Sequence, residues 1–346
     1  KRILMAYTTI DNPELYFQTK LWTGNDASPR AFTLDGDEDM QPDWVWIKNR
    51  SSGNDNILFD AVRGVNKSLR SDSANAEDTT NNDGSIQSFD TDGFTVYQPG
   101  TGDDKVNNSG SGTYVGWCWK ESATAGFDIV SYTGNGSNRT ISHSLSAKPA
   151  MIIVKQRSAS RDWWVYNKNL DGTDGATGVL YLSTTDAAGT SATTSWNSTA
   201  PTTSVFSLGT TVGVNADSGT YIAYCFAEKQ GYSKIGSYTG NGNADGTFVY
   251  TGFRPAWIMA KRTTAAYDWY VFDNKRPGYN EVGLSLRASQ SHGETQASGY
   301  PLDIVSNGFK IRTSNSALGG GGDPYIYMAF AEAPFVNSNG VPANAR

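Results

Sequence analysis

One seven-residue pattern, a proline leading an apolar run that ends in lysine, occurs three times along the chain. It reads Pro42-Asp43-Trp44-Val45-Trp46-Ile47-Lys48, then Pro149-Ala150-Met151-Ile152-Ile153-Val154-Lys155, then Pro255-Ala256-Trp257-Ile258-Met259-Ala260-Lys261. The copies stand a little over a hundred residues apart, so the chain is three tandem units rather than one long fold. Proline is tolerated at the first position of a strand because no ladder donor is lost there. The continuous apolar run that follows predicts a strand covered on both faces.

Three further matches keep the same order. Asp55 to Asp60, Asp162 to Asn167 and Asp268 to Asp273 read as the partner strand of a hairpin with a longer loop. Gly93-Phe94-Thr95-Val96, Val205-Phe206-Ser207-Leu208 and Gly308-Phe309-Lys310-Ile311 form a strand that precedes the last one. The units close with Tyr114-Val115-Gly116-Trp117-Cys118-Trp119, Tyr221-Ile222-Ala223-Tyr224-Cys225-Phe226 and Tyr325-Ile326-Tyr327-Met328-Ala329-Phe330. Units two and three open on Ile129 to Gly136 and Ile235 to Gly242, each a strand running into a Gly/Asn turn, and unit one opens more loosely around Lys20 to Asn25. Five short strands per unit, without runs of helix formers, predict an all-β chain of three antiparallel β-sandwich, jelly-roll-like units. Boundaries are expected at 1–125, 126–231 and 232–346, with linkers too short for flexible beads.

Register across the copies assigns roles to residues that would otherwise invite chemistry. Cys118, Cys225 and Ala329 are equivalent, so both cysteines are expected as small buried hydrophobes rather than a disulfide or metal pair. Glu121, Glu228 and Glu332 are the best-placed acids for a glycosidase-type carboxylate pair, yet they recur once per unit at a strand end. Lys48, Lys155 and Lys261 recur likewise, and both sets are expected to bond a turn or a neighbouring unit. The two histidines, His143 and His292, lie in non-equivalent places without triad or zinc spacing and are expected at the surface or in turns.

Other candidates are weaker in spacing. The acidic loop of Asp35, Gly36, Asp37, Glu38 and Asp39 offers hard oxygen ligands but lacks the EF-hand glycine and terminal glutamate, so a solvated turn is expected over a calcium site. Asp90-Thr91-Asp92-Gly93 is shorter still. The four glycines 319–322 precede no Lys-Ser/Thr and no helix, which makes a flexible turn rather than a phosphate loop. Most aromatic residues lie in the repeated strands and belong to the core. Trp196, Tyr279 and Tyr300 stand apart from the pattern, and the polar segments 71–88, 184–203 and 289–300 differ between units, so these are where binding specificity is expected.

A net charge of −6 with scattered Lys and Arg argues against nucleic acid. No apolar stretch approaches the roughly 20 residues of a membrane span. The start, Lys1-Arg2-Ile3-Leu4-Met5, has no apolar signal region and no initiator Met, which suggests a processed product or part of a longer polypeptide.

The run from Pro42 to Ser51, then Phe59-Asp60-Ala61-Val62-Arg63-Gly64 and Ser88-Phe89-Asp90-Thr91-Asp92-Gly93-Phe94, resembles a repeat domain of structural proteins in tailed, especially marine, bacteriophages. Tyr132-Thr133-Gly134-Asn135-Gly136, Phe253-Arg254-Pro255-Ala256-Trp257-Ile258 and the closing Ala329-Phe330-Ala331-Glu332-Ala333-Pro334-Phe335 resemble the same family. The resemblance implies a non-enzymatic virion surface component without cofactor, of the tail-fibre or receptor-binding type. Its expected partners are other virion proteins, a host surface glycan or protein receptor, and further copies of itself as a trimer. A capsid decoration or head-fibre protein is the alternative, and a polysaccharide depolymerase the reading from a different class.

Overall fold

The computed structural model describes residues 7–342 apart from 83, 100–104, 109–111, 171, 173, 191, 278 and 297–299. The chain is all-β, with antiparallel pairing throughout the named strands. Each unit builds one larger sheet in the same order. An opening strand (Phe17–Thr23, Phe127–Thr133, Ser233–Thr239) pairs with the closing strand (Thr113–Trp119, Thr220–Phe226, Pro324–Pro334). The closing strand pairs with the lysine-bearing strand (Trp44–Asn49, Met151–Gln156, Phe253–Arg262), which pairs in turn with its hairpin partner (Ile57–Asp60, Trp164–Asn167, Tyr270–Asp273). A short edge strand (Leu69–Arg70, Leu180–Tyr181, Leu284–Arg287) completes the order, and unit three adds Thr295–Gln296. Pro42 and Pro149 precede their strands. Pro255 lies inside its strand at a register shift, where a missing N–H interrupts no regular ladder.

A smaller sheet covers one face of each larger one. It holds Arg30–Phe32, Gly93–Tyr97 and Ser85–Asp90 in unit one, Arg139–Ser142 and Val205–Leu208 in unit two, and Phe248–Tyr250, Gly308–Ile311 and Leu302–Val305 in unit three. Each unit is therefore an unequal sandwich, five or six strands against two or three. The positions 125/126 and 231/232 fall in tight turns, where Gly126 and Gly231 take φ of +76° and +77°, a left-handed conformation that favours glycine.

Alternation along the strands explains why the repeated runs are apolar without interruption. Val45, Ile47 and Cys118 point into the sandwich of unit one together with Phe94 and Val96, and Ile152, Val154 and Cys225 do the same in unit two with Phe206 and Leu208. The intervening residues point the other way, into a single core shared by all three units: Trp44, Trp46, Trp117 and Trp119 meet Ile153, Tyr224, Phe226, Trp257 and Phe330 there. Ring contacts join every pair of units, with Trp44 on Tyr224 at 4.7 Å, Phe226 on Phe330 at 6.0 Å and Trp119 on Trp257 at 5.4 Å. The three large sheets thus face one another around a common centre. No helix among the described residues is long and apolar enough to cross a membrane.

One expectation is corrected by packing and another is refined. Trp196 is no surface platform: a five-residue helix, Ala192–Trp196, buries it to 2% exposure in the core of unit two, where its Nε1 donates to Gly178 O at 3.2 Å. The glycine run 319–322 does lie in turns, but it is close-packed at Gly320. Gly240 approaches it so closely that a Cβ on Gly240 would lie 2.2 Å from the Gly320 carbonyl oxygen.

Candidate functional site

The residues that repeat with a charge converge on the seams between units. Each repeated lysine lies within a strand whose flanking face is buried, so its amine must find acceptors or remain costly. Lys155 Nζ donates to Arg161 O of its own hairpin loop at 2.6 Å and to Ala74 O of unit one at 3.0 Å. Lys261 does the same with Tyr267 O at 2.6 Å and Thr185 O of unit two at 2.9 Å. Lys48 bonds Asn54 O and reaches Ser291 O of unit three at 2.7 Å. Unit two holds unit one, unit three holds unit two, and unit one holds unit three, so the lysines close a ring. Burial lowers all three ammonium groups to about pKa 8.

A second staple follows the same cycle. Trp163 Nε1 donates to Arg70 O at 2.7 Å, Trp269 Nε1 to Tyr181 O at 2.9 Å, and Asn56 Nδ2, at the equivalent position of unit one, to Arg287 O at 3.1 Å. The polar segments 71–88, 184–203 and 289–300 contribute Ala74, Thr185 and Ser291 to these seams. Their differences are thus in part differences between seams, which corrects the expectation that they are free specificity surfaces. A backbone carbonyl acceptor leaves no side-chain signature, and the sequence could not show this.

Two seams carry a chain of buried charges that sequence reasoning missed. Arg63 is paired with Asp60, donates to Glu77 Oε2 at 3.2 Å, and Glu77 receives Arg157 of unit two at 2.9 Å. Tyr224 of unit two donates to Asp60 Oδ2 at 2.7 Å. Unit three repeats the arrangement: Arg276 lies 2.6 Å from Asp273 and 2.8 Å from Glu294, Glu294 binds Arg50 of unit one at 2.8 Å, and Trp117 Nε1 donates to Asp273 Oδ2 at 2.9 Å. The signal was present as Asp-x-x-Arg at Asp60/Arg63 and Asp273/Arg276, with Asn167 and Leu170 in the same places of unit two. There the aspartate and arginine of the chain are replaced by neutral residues. Ala188 stands for the glutamate, and Ala188 N donates to Thr263 O at 2.7 Å where the backbone N–H groups of Glu77 and Glu294 donate to Arg157 and Arg50.

The repeated glutamates cap the turns between units. Ile129 N donates to Glu121 Oε1 at 3.2 Å and Ile235 N to Glu228 Oε1 at 3.1 Å, while Glu332 pairs with Arg254 at 2.9 Å. Their electrostatics differ. Burial, a hydrogen bond with Asp128 and the nearby Asp43 push the Glu121 carboxyl up to about 7. For Glu228, burial acts in the same direction, but Lys168 at 2.6 Å and Lys234 at 3.1 Å outweigh it and leave its pKa below the ordinary value.

The remaining candidates separate. Cys118 and Cys225 are buried free thiols, and burial raises both pKa values. His143 is a buried turn residue rather than a surface one: Nδ1 accepts from Leu145 N at 3.3 Å, Nε2 lies 3.2 Å from Thr202 O, and burial lowers its pKa. His292 is exposed beside Ser291. Asp35 pairs with Lys20 at 2.5 Å, Gly36 N donates to Gln18 and Asp37 N to Glu14, and Asp37, Glu38 and Asp39 are exposed. Among the described residues no group of three His, Cys, Asp or Glu side chains is placed to hold a metal ion. Tyr300 packs on Tyr270 at 4.8 Å, whereas Tyr279 is 86% exposed.

The chain belongs to the family described as a domain of unknown function (DUF7483), whose model matches residues 12–334. No curated protein matches it, and no solved structure does.

Proposed function

We propose that this chain is a non-enzymatic structural component of a virion surface, of the tail-fibre or receptor-binding type, that presents binding surfaces on a rigid three-unit ring. The observation that carries the reading is the use of the repeated Lys, Glu and Arg side chains. Lys48, Lys155, Lys261, Arg50 and Arg157 bond a neighbouring unit, and Glu121 and Glu228 brace the turns between units, a device for fixed geometry rather than for turnover. Shared burial of aromatic residues from three sheets adds rigidity at the centre. The resemblance of the repeated motifs to bacteriophage structural domains supplies the setting.

Labelling intact particles with antibody raised against the chain, and imaging them by electron microscopy, tests the proposal. Label at the tail tip together with adhesion of the purified chain to host cells is the expected result. Label distributed over the capsid would favour decoration instead, and release of reducing ends from host polysaccharide by the purified chain would overturn the non-enzymatic reading.

A further inference from the structure

Along the strand that pairs with Phe94, Phe206 and Phe309, the solvent-facing positions break the repeat in unit three. Phe32, Ile141 and Val249 are equivalent buried residues, paired with Phe94, Phe206 and Phe309. The exposed residues flanking them are Ala31 and Thr33 in unit one and Thr140 and Ser142 in unit two. In unit three they are Phe248 and Tyr250, exposed to 47% and 54%. Small or polar residues suffice for the scaffold, as two copies demonstrate, so two neighbouring aromatic side chains on one face of a strand need another reason.

Tyr250 forms a wall of a groove of about 380 Å³ at the seam of units two and three. That volume falls within the roughly 300–1,000 Å³ of small-molecule sites. Tyr7 stands beside it, its hydroxyl 3.2 Å from the Tyr250 hydroxyl and donating to Gly252 O at 2.8 Å. Glu228 and Lys234, an ion pair at 3.1 Å, line the groove with Gln230 and Thr251. At the seam of units one and two the position of Lys234 is taken by Asp128 and that of Tyr250 by Ser142. Both features thus distinguish this seam from that one.

We infer that this groove binds a pyranose ring of a surface polysaccharide, with Tyr250 as the stacking platform and Glu228 and Lys234 as hydroxyl partners. A pyranose offers an apolar C–H face and a rim of hydroxyls that both donate and accept. The groove offers the complement: aromatic faces, a carboxylate acceptor and an ammonium donor, with Tyr250 and Lys234 on strands and Glu228 at the turn between units two and three. Phe248, two residues along the same strand face, extends the platform towards a second sugar. The inference rests on the attachment reading above and gives it a ligand class.

The test uses the full chain on an array of bacterial surface polysaccharides and their oligosaccharides, with three variants. Tyr250→Ser and Phe248→Thr install the residues that unit two carries at the same positions, and Tyr279→Ala removes an exposed aromatic elsewhere. The expected result is binding to at least one glycan, weakened tenfold or more by Tyr250→Ser, weakened less by Phe248→Thr and unchanged by Tyr279→Ala, with unaltered melting temperatures. Binding of no glycan, equal binding by Tyr250→Ser, or capture of extended peptides in place of glycans would overturn it. Cell adhesion separates the two claims: adhesion retained by the Phe248→Thr/Tyr250→Ser double variant rejects the groove and leaves attachment standing, while no adhesion by the wild-type chain rejects attachment.

Discussion

At the scale of single residues, the seams show how one position can serve two chemistries. Asp60 and Asp273 are fully buried, and each is balanced by an arginine three residues on and by a donor from the neighbouring unit. Unit two keeps Asn167 and Leu170 instead, and the residue equivalent to Tyr224 and Trp117 is Met328, which has no proton to donate. The Asn167 Nδ2 has no hydrogen-bond partner among the described residues. Asp60→Asn removes the nearer of the two counter-charges of a fully buried arginine and leaves Arg63 with Glu77 alone, so it is expected to cost about 3 kcal/mol or more. Asn167→Leu removes no charge but takes the Oδ1 acceptor from Asn169 N at 2.9 Å, and is expected to cost less, about 1–2 kcal/mol. Denaturant unfolding of both variants checks the contrast, and equal losses would contradict it.

At the scale of elements, the strands were legible because three copies could be aligned, and that register alone assigns Cys118, Cys225 and the apolar runs to the core. The seams were not legible. Ala74, Thr185 and Ser291 act through backbone carbonyls, and the helix that buries Trp196 is too short to announce itself by periodicity. The aromatic strand Phe248–Tyr250 was visible in the sequence, but only pairing with Gly308–Ile311 shows which residues face outward. The turn between units one and two also carries a pH-dependent term. Glu121 faces Asp128, which in turn receives Ser144 N and lies near His143, and faces Asp43, which lies near Lys120. Its folded pKa of about 7 lies above the ordinary 4.5, so the folded state binds more protons between those values and loses stability as pH rises through that window. The group is partly exposed and therefore screened, and the loss is about 1 kcal/mol. Glu121→Gln removes it. Wild-type stability measured from pH 4.5 to 7 is expected to fall relative to the variant, and parallel curves would contradict the assignment.

At the scale of the whole molecule, three sandwiches behave as one body because each large sheet is buried on both faces. The inner faces meet in one aromatic core, and the staples run in one rotational sense from unit to unit until unit one closes on unit three. Contacts from the first described residues tie unit one to both other units. Thr8 donates to Gln230 O at 2.8 Å, and Asp11 accepts from Ser338 N at 2.7 Å. No unit could expose its inner Trp and Phe side chains without losing burial worth roughly 1.5–3 kcal/mol for each such residue. Calorimetric unfolding of the wild-type chain and of Asp60→Asn tests this most directly. A single transition with calorimetric and van't Hoff enthalpies in agreement, moved as a whole by the substitution, is the expected result. Two or three separable transitions, with only that of unit one displaced, would contradict the closed ring.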